Sequence, residues 1–415
     1  MATRDLLAVL HDRLTEGDRE IAAALVELAI RRQERLFLVG GSVRDLLLGR
    51  QHVDLDVAVE GDAIALAREL AGGRQGRIVA HQTFGTASVE LPSSRIDLAQ
   101  ARAETYSRPG ALPTVRQASI EEDLRRRDFT VNAMALRLTP PAAGELMDPC
   151  DGKRDLDGRV IRVLHDDSFR DDATRMLRAV RYEGRLSFQI ESETEGLLRR
   201  DLSYLDAISG ARLREEIVAI FYEERPEELL ARCQELGILA SIHPCLQFDE
   251  ASRQALLRAR EERPVPWDEV CLCLLCRHCD ENDVGSLAAR LALPKRYERA
   301  IVDAARLRDR LPDLLAPDAA PSRITELLEP FSVASVWALA LRVDDALAAE
   351  RARRYLLEWR YVKSFLGASA IRRLGVANGP ELGALLRRLR AARLDGKTRS
   401  REDELALLGQ KQEQN

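Results

Sequence analysis

The chain has 415 residues, 46% of them apolar and 32% charged, with a formal net charge of -5. That length exceeds one ordinary hydrophobic core and predicts two to four folded units, while the acidic balance argues against wholesale electrostatic binding to nucleic acid. No apolar stretch approaches bilayer length and Met1-Ala2-Thr3-Arg4-Asp5 lacks a secretory signal's apolar run, so a cytoplasmic chain with no membrane association is expected.

In residues 1–35, Leu6, Leu7, Val9 and Leu10, then Ile21, Leu25, Leu28 and Ala29, recur at helical spacing. Strands and helices then alternate to about residue 139. A strand over Leu36 to Val39 runs into Gly40-Gly41, and Val43 to Leu48 opens a helix. Val53 to Val59 reads as a strand, with Asp54 and Asp56 on one face because side chains alternate with period two. Carboxylates set among valines call for a compensating cation, and hard oxygen ligands favour Mg2+ completed by substrate phosphates. Gly40 and Gly41 let backbone N–H groups approach a triphosphate, and Arg44 supplies charge against it. A helix is predicted over Asp62 to Leu70, with strands near Arg77 to Ala80, Ala87 to Leu91 and Arg95 to Leu98. The last carries Asp97.

Two further segments complete the pattern. Glu122-Asp123-Leu124-Arg125-Arg126-Arg127-Asp128-Phe129-Thr130-Val131-Asn132-Ala133 sets a forked guanidinium beside hydrogen-bonding side chains suited to phosphate and ribose. Phe169 to Tyr182 is predicted as one helix, with Asp172, Arg175, Arg178 and Arg181 three apart in one slowly winding row. Asp accepts from an exocyclic amino group and Arg donates to ring acceptors. Cytosine and adenine present an amino group where uracil and guanine present a carbonyl, so one Asp/Arg pair can take C and A and reject U and G.

The run Leu38 to Gly61 resembles the signature of class II tRNA nucleotidyltransferases and bacterial poly(A) polymerases, members of the polymerase-beta-like superfamily, and the resemblance extends over nearly the whole chain. It implies an α+β nucleotidyltransferase head with a mixed sheet, followed by an elongated all-α neck, body and tail: 1–139, 140–222, 223–320 and 321–415. It implies template-independent addition of C and A residues to the 3′ end of tRNA from CTP and ATP, with Asp54 and Asp56 holding Mg2+ and Asp97 as a third acidic residue near the 3′-hydroxyl. Gly40, Gly41, Arg44, Arg127, Asp128, Asn132, Asp172, Arg175, Arg178 and Arg181 are the expected nucleotide-binding residues. Asp171 stands where the family's Glu-Asp-x-x-Arg element carries Glu. Split-function members add only A or only CC and share these motifs. Ala103 to Gly110 resembles a subgroup with A-adding members, so that reading stays open. A poly(A) polymerase ranks third, and a catalytically inactive RNA-binding module is the alternative of a different class.

After Pro140-Pro141 the pattern is helical, with no strand expected and breaks near Glu224-Arg225-Pro226, Arg263-Pro264-Val265-Pro266 and Ala316 to Pro321. Gly210 to Ile217 resembles the family's neck helix, and Leu374 to Lys397 resembles the tail of CCA-adding enzymes. Residues 371–401 carry nine Arg or Lys against two acids, the footprint a phosphate backbone needs. No protein partner is readable. Of seven cysteines, Cys271, Cys273, Cys276 and Cys279 have zinc-like spacing beside His278, but their continuously apolar setting predicts a buried helix. The odd count and the absent export signal predict no disulfide.

Overall fold

The computed structural model describes residues 5–72, 74, 76–92, 94–105, 108–111, 113–342 and 346–409. Met1 to Arg4, and Tyr106 and Ser107 of the segment 103–110, lie outside the described residues. The chain divides into two compact units, residues 1–209 and 210–415.

The first unit opens with helices α1 (Leu6–Arg13) and α2 (Glu16–Arg31). The Thr15 hydroxyl starts α2 by accepting from Asp18 N at 3.2 Å, and Ile21, Leu25, Leu28 and Ala29 form its buried stripe. Then follow β1 (Arg35–Val39), α3 (Gly41–Leu47), β2 (Asp56–Glu60), α4 (Ala63–Gly72), β3 (Arg77–His81), β4 (Thr86–Leu91), β5 (Ser94–Gln100), β6 (Arg102–Thr105), β7 (Thr114–Gln117), α5 (Ile120–Arg125), β8 (Ala135–Arg137) and β9 (Leu146–Met147). Seven strands form one sheet in the order β3-β4-β5-β2-β1-β8-β9, mixed because β2 and β5 run parallel while their neighbours are antiparallel. Register sets Asp56 opposite Asp97, and Asp97 opposite Ser88. Ser88, Asp97 and Asp56 therefore form one row across three strands.

Three expectations for the first unit need correction. The strand expected over Val53 to Val59 begins at Asp56. Alternation still extends back through the preceding segment, since Val53, Leu55 and Val57 are buried while Asp54 is exposed. Strands also continue past Pro140-Pro141. β9 extends the sheet at its β8 edge, and β10 (Val160–Ile161) pairs in parallel with β11 (Gln189–Ile190), with α6 (Gly152–Gly158) preceding β10. Two-residue strands are too short to show a period, so they read as helix spacers. The helix expected over Phe169 to Tyr182 is two pieces, α7 (Ser168–Asp171) and α8 (Thr174–Leu186). They are separated at Asp172, whose backbone is extended (φ -147°, ψ 98°). Its carboxylate accepts from Thr174 N at 3.0 Å and Thr174 Oγ1 at 2.7 Å, a local bond that competes with helix continuation.

Among the described residues, the second unit contains helices and no strand, and no helix is long and apolar enough to cross a membrane. Cys271, Cys273 and Cys276 are buried on and just after the helix Trp267–Leu275, and burial pushes the Cys276 thiol up to about 12. The expectation of no disulfide is overturned, because Cys245 and Cys279 are joined across 34 residues with Cα atoms 5.1 Å apart. Cysteine count and compartment say nothing about which loops the helices bring together. In the tail, the helix Pro380–Leu394 starts at its proline. Its arginines divide by role. Arg390 donates to Val362 O (2.9 Å), Arg360 O (3.4 Å) and Glu329 (2.7 Å), Arg393 donates to Lys363 O (2.5 Å) and lies over Phe365, and Arg387 is exposed.

That division predicts different stability costs. Arg390→Met should destabilise the second unit by about 1.5–3 kcal/mol, the scale for losing hydrogen bonds from a charged donor. Arg387→Met should stay within about 0.5 kcal/mol of the native chain. Urea midpoints of the two variants check this, and equal midpoints would refute the division.

Candidate active site

The site is assembled at the carboxyl end of β1 and the starts of β8 and β2. β1 ends at Val39, and Gly40 turns the chain into α3 with a positive φ of 64°. A Cβ at Gly40 would lie 2.5 Å from Arg127 Nη1, so only glycine satisfies both the backbone and the guanidinium beside it. The α3 side chains then point to two places. Ser42 Oγ donates to Asp56 Oδ2 at 3.3 Å, and Arg44, only 4% exposed, donates from Nη1 to Asn132 Oδ1 at 2.6 Å.

From Asn132 a closed ring of contacts runs back to Arg44. Asn132 Nδ2 donates to Asp128 Oδ1 at 3.0 Å. Arg178 of α8 donates to Asp128 Oδ2 from Nε at 3.0 Å and from Nη2 at 2.6 Å. Arg178 Nη2 also reaches Tyr182 Oη at 3.3 Å. The guanidiniums of Arg44 and Arg178 stand over the Tyr182 ring, 5.3 and 5.5 Å from its centre. A second network holds the neighbouring arginines. Asp123, 1% exposed, accepts from Arg126 Nη2 at 2.6 Å and Arg127 Nη2 at 2.9 Å, and Arg126 Nη1 donates to Glu104 of β6 at 2.8 Å. The capping box formed by Ser119 and Glu122 starts α5 and so fixes the turn that presents Asp123.

These networks wall two hollows of about 390 Å³ each. Gly40, Gly41, Glu104, Arg126, Arg127, Asp128, Asn132, Asp172, Arg175, Arg178 and Tyr182 line one. The other is lined by strand residues including Asp56, Asp97, Ser88 and Arg95, and it shares Gly41 and Arg127 with the first. Arg44 lies buried behind Tyr182 rather than on either lining, and Arg181 is on neither lining. Asp54 is exposed two residues before Asp56, just outside the second hollow's lining. Arg175 is 5% exposed. Its Nη1 donates to Ser168 Oγ at 2.7 Å and its Nη2 to Arg126 O at 2.9 Å. With Asp172 tied to Thr174, each of the two expected base readers is held by its own protein partner.

Charge in the site is unevenly compensated. Burial pushes the Asp56 carboxyl up, Asp97 and Asp54 push it further, and Ser42 and Arg127 oppose them. Burial would also raise Asp128 and Asp123. There the adjacent arginines prevail, and both carboxyls titrate below the usual range, Asp128 chiefly through Arg178 and Asp123 through Arg127 and Arg126. Asp171 is raised by burial, against the pull of His165 (3.6 Å) and Arg175. Sequence reasoning missed Tyr182, Glu104, Asp123, Arg126, Ser42 and Ser88 as parts of the site. Ser88 alone had a sequence signal, its alternation with Ala87 and Val89, but not its strand partner.

Comparison with known proteins gives the following. Residues 36–162 match the Poly A polymerase head domain, and residues 187–249 match the probable RNA and SrmB-binding site of polymerase A. An A-adding tRNA nucleotidyltransferase of Geobacter sulfurreducens is 33% identical over 97% of this chain and 47% of its own length. A CC-adding tRNA nucleotidyltransferase of Deinococcus radiodurans is 33% identical over 90% of this chain and 88% of its own. The structure of a Thermotoga maritima CCA-adding enzyme complexed with tRNA superposes with a TM-score of 0.80 at 29% identity, over 98% of both chains. The chain spans less than two thirds of the length of three A-adding relatives it matches, 47%, 63% and 28%.

The lowered Asp128 carboxyl carries a pH signature. A carboxylate whose folded pKa is depressed adds stability above its unfolded value, ordinarily 3.8, and that stability is lost as pH falls from there through the lower native value. Asp128→Asn should therefore be less stable than the native chain at pH 7, and its stability should fall less steeply below about pH 4. Urea unfolding of the first unit across pH 3–7 reads this. Parallel slopes for the two proteins would show that the Arg178 pairing contributes nothing to the pH dependence.

Proposed function

Because the chain belongs to the family of tRNA nucleotidyltransferases and bacterial poly(A) polymerases, we propose that it adds C and A residues to the 3′ end of tRNA from CTP and ATP without a nucleic-acid template. The observation that carries this reading is the junction at Gly41 and Arg127. The hollow with the row of carboxylates and the hollow with Asp172 and Arg175 share these two residues. A nucleotide with its base at Asp172 and Arg175 and its phosphates at Arg127 would point its α-phosphate toward Asp56. Asp172 accepts from the exocyclic amino group of C or A, and Arg175 donates to the ring acceptor beside it. Asp128 and Asn132 meet the ribose hydroxyls. The primer's 3′-hydroxyl approaches from the side of Asp97, and Arg44 and Arg178 add positive charge at the phosphates. Acting on tRNA with CTP and ATP, the protein would work in the cytoplasm.

Asp56 and Asp54 fit Mg2+. The Asp56 carboxyl is half-buried beside two like charges, the setting in which a divalent cation gives most relief. Among the described residues no three His, Cys, Asp or Glu side chains form a closed metal cage, and Mg2+ commonly takes only one or two carboxylates and completes its shell with water and phosphate. When bound, the ion supplies Lewis-acid activation of the hydroxyl and charge stabilisation at the leaving pyrophosphate. Around it, Ser42 orients Asp56 and Ser88 orients Asp97 by donating to their carboxylates.

A second reading, addition of the terminal A alone, is favoured by the A-adding relatives, one of them 43% identical over 235 residues. Supplying one labelled nucleotide at a time to tRNAs ending before CCA, after C and after CC separates the two. CMP on the first two with AMP on the third supports CCA addition, and AMP on the third alone supports A addition. The tail would contact RNA through exposed Arg372, Arg373 and Arg387, since Arg390 and Arg393 are committed within the chain.

Asp56→Ala should lower incorporation on every tRNA by about a thousandfold or more, on the scale of losing several kcal/mol of metal-assisted charge stabilisation. tRNA affinity should change little, and near-native incorporation would remove Asp56 from the active site. Asp172→Ala should lose discrimination against UTP and GTP by about 1–3 kcal/mol in addition to losing rate on the correct nucleotide. The check is kcat/KM for all four nucleotides. A uniform slowing would mean that Asp172 positions and does not read.

A further inference from the structure

The proposed reading leaves three side chains of the nucleotide hollow unused, Glu104, Arg126 and Tyr182. Tyr182 lies on its lining, contributed by α8 one turn beyond Arg178. We infer that Tyr182 is a positioning residue for the nucleotide's phosphates, acting by holding the guanidiniums of Arg44 and Arg178 over its ring; this rests on the reading of the hollow as a nucleotide site.

Arg178 lines the hollow while Arg44 is buried off its lining, so Arg44 acts on a polyanion there through its charge, and the two guanidiniums must be held near each other although they repel. Each already has one carboxylate, Asp45 for Arg44 (3.0 and 3.1 Å) and Asp128 for Arg178 (3.0 and 2.6 Å), and a further carboxylate would cancel more of the charge that the phosphates need. An aromatic face attracts cations through its quadrupole without cancelling their charge. The geometry follows this logic. Arg44 and Arg178 stand 5.3 and 5.5 Å from the centre of the Tyr182 ring, and the hydroxyl accepts from Arg178 at 3.3 Å. The ring is in turn fixed edge-on against Phe129, with centroids 5.7 Å apart and planes at 77°. Phe129 is fully buried, so the orientation of both arginines is anchored in the core of the first unit. Asp45 and Asn132 hold the polar edges of Arg44, Asp128 holds those of Arg178, and the Tyr182 ring touches both guanidiniums.

The test is equilibrium dialysis of ATP and CTP against the full chain without tRNA, followed by steady-state kinetics with saturating tRNA. Tyr182→Leu should weaken both triphosphates by about fivefold to thirtyfold, the loss expected for two partly desolvated cation–π contacts. KM should rise in parallel, kcat should change less than about threefold, and the ranking of the four nucleotides should be unchanged. Tyr182→Phe, which keeps the ring, should retain most of the affinity. A purely structural role is separated by placing phenylalanine with none, one, two or three ring fluorines at position 182. These side chains are nearly isosteric, while the face becomes progressively less attractive to cations. Triphosphate affinity should fall stepwise along that series. A flat series, or Tyr182→Leu binding triphosphates as the native chain does, overturns the inference. If the native chain itself binds neither ATP nor CTP, the nucleotide reading falls and this inference falls with it.

Discussion

The burial of one carboxylate organises the first unit. Asp128 is buried at the edge of the hollow that Gly40, Arg127 and Arg175 also line, where an unpaired charge would be prohibitively costly, and its compensation comes from Arg178, fifty residues later on α8. That pairing ties α8 to the turn after α5, and Asn132 carries the constraint on to Arg44 and the Gly40-Gly41 turn. Three segments far apart in sequence are thereby held to one geometry. Breaking the ring at any polar member would leave a buried charge or donor facing the interior.

The row of Ser88, Asp97 and Asp56 follows the opposite electrostatic rule. Here like charges accumulate on neighbouring strands, and the pKa of Asp56 is raised rather than lowered. One part of the site is internally neutralised and rigid, while the adjoining part is left short of positive charge. Such an asymmetry suits chemistry in which the protein binds one end of a polyanion and a divalent cation organises the other.

Much of this was legible from residues alone. The strand carrying Asp56, the Gly-Gly turn and the run from Glu122 to Ala133 each have a local signature, and the fold brings them together. Contacts between distant segments left no such trace. Arg127 reads naturally as a partner of its neighbour Asp128, yet it pairs with Asp123 while Asp128 pairs with Arg178. Spacing of three cannot reveal that Asp172 leaves the helix, because the cause is a hydrogen bond to Thr174 that competes with the helix. The basic run in the tail likewise gives no sign of which arginines cap carbonyls, since charge counting is blind to direction. The Cys245–Cys279 pair was missed for the same reason, as proximity is a property of packing.

The break between α7 and α8 has a mechanical consequence. Arg175 rides on a regular helix and is gripped from Ser168 and the Arg126 carbonyl. Asp172 sits on an extended residue between the two helices and is bonded to both: its N–H donates to Ser168 O at 3.2 Å and its C=O accepts from Arg175 N at 3.1 Å. The two side chains are therefore anchored differently: the carboxylate by Thr174, two residues away, and the guanidinium by Ser168 and the Arg126 carbonyl. A shift of the turn after α5 would thus reach Arg175 through the Arg126 carbonyl, while the Asp172 carboxylate keeps its partner two residues along the chain.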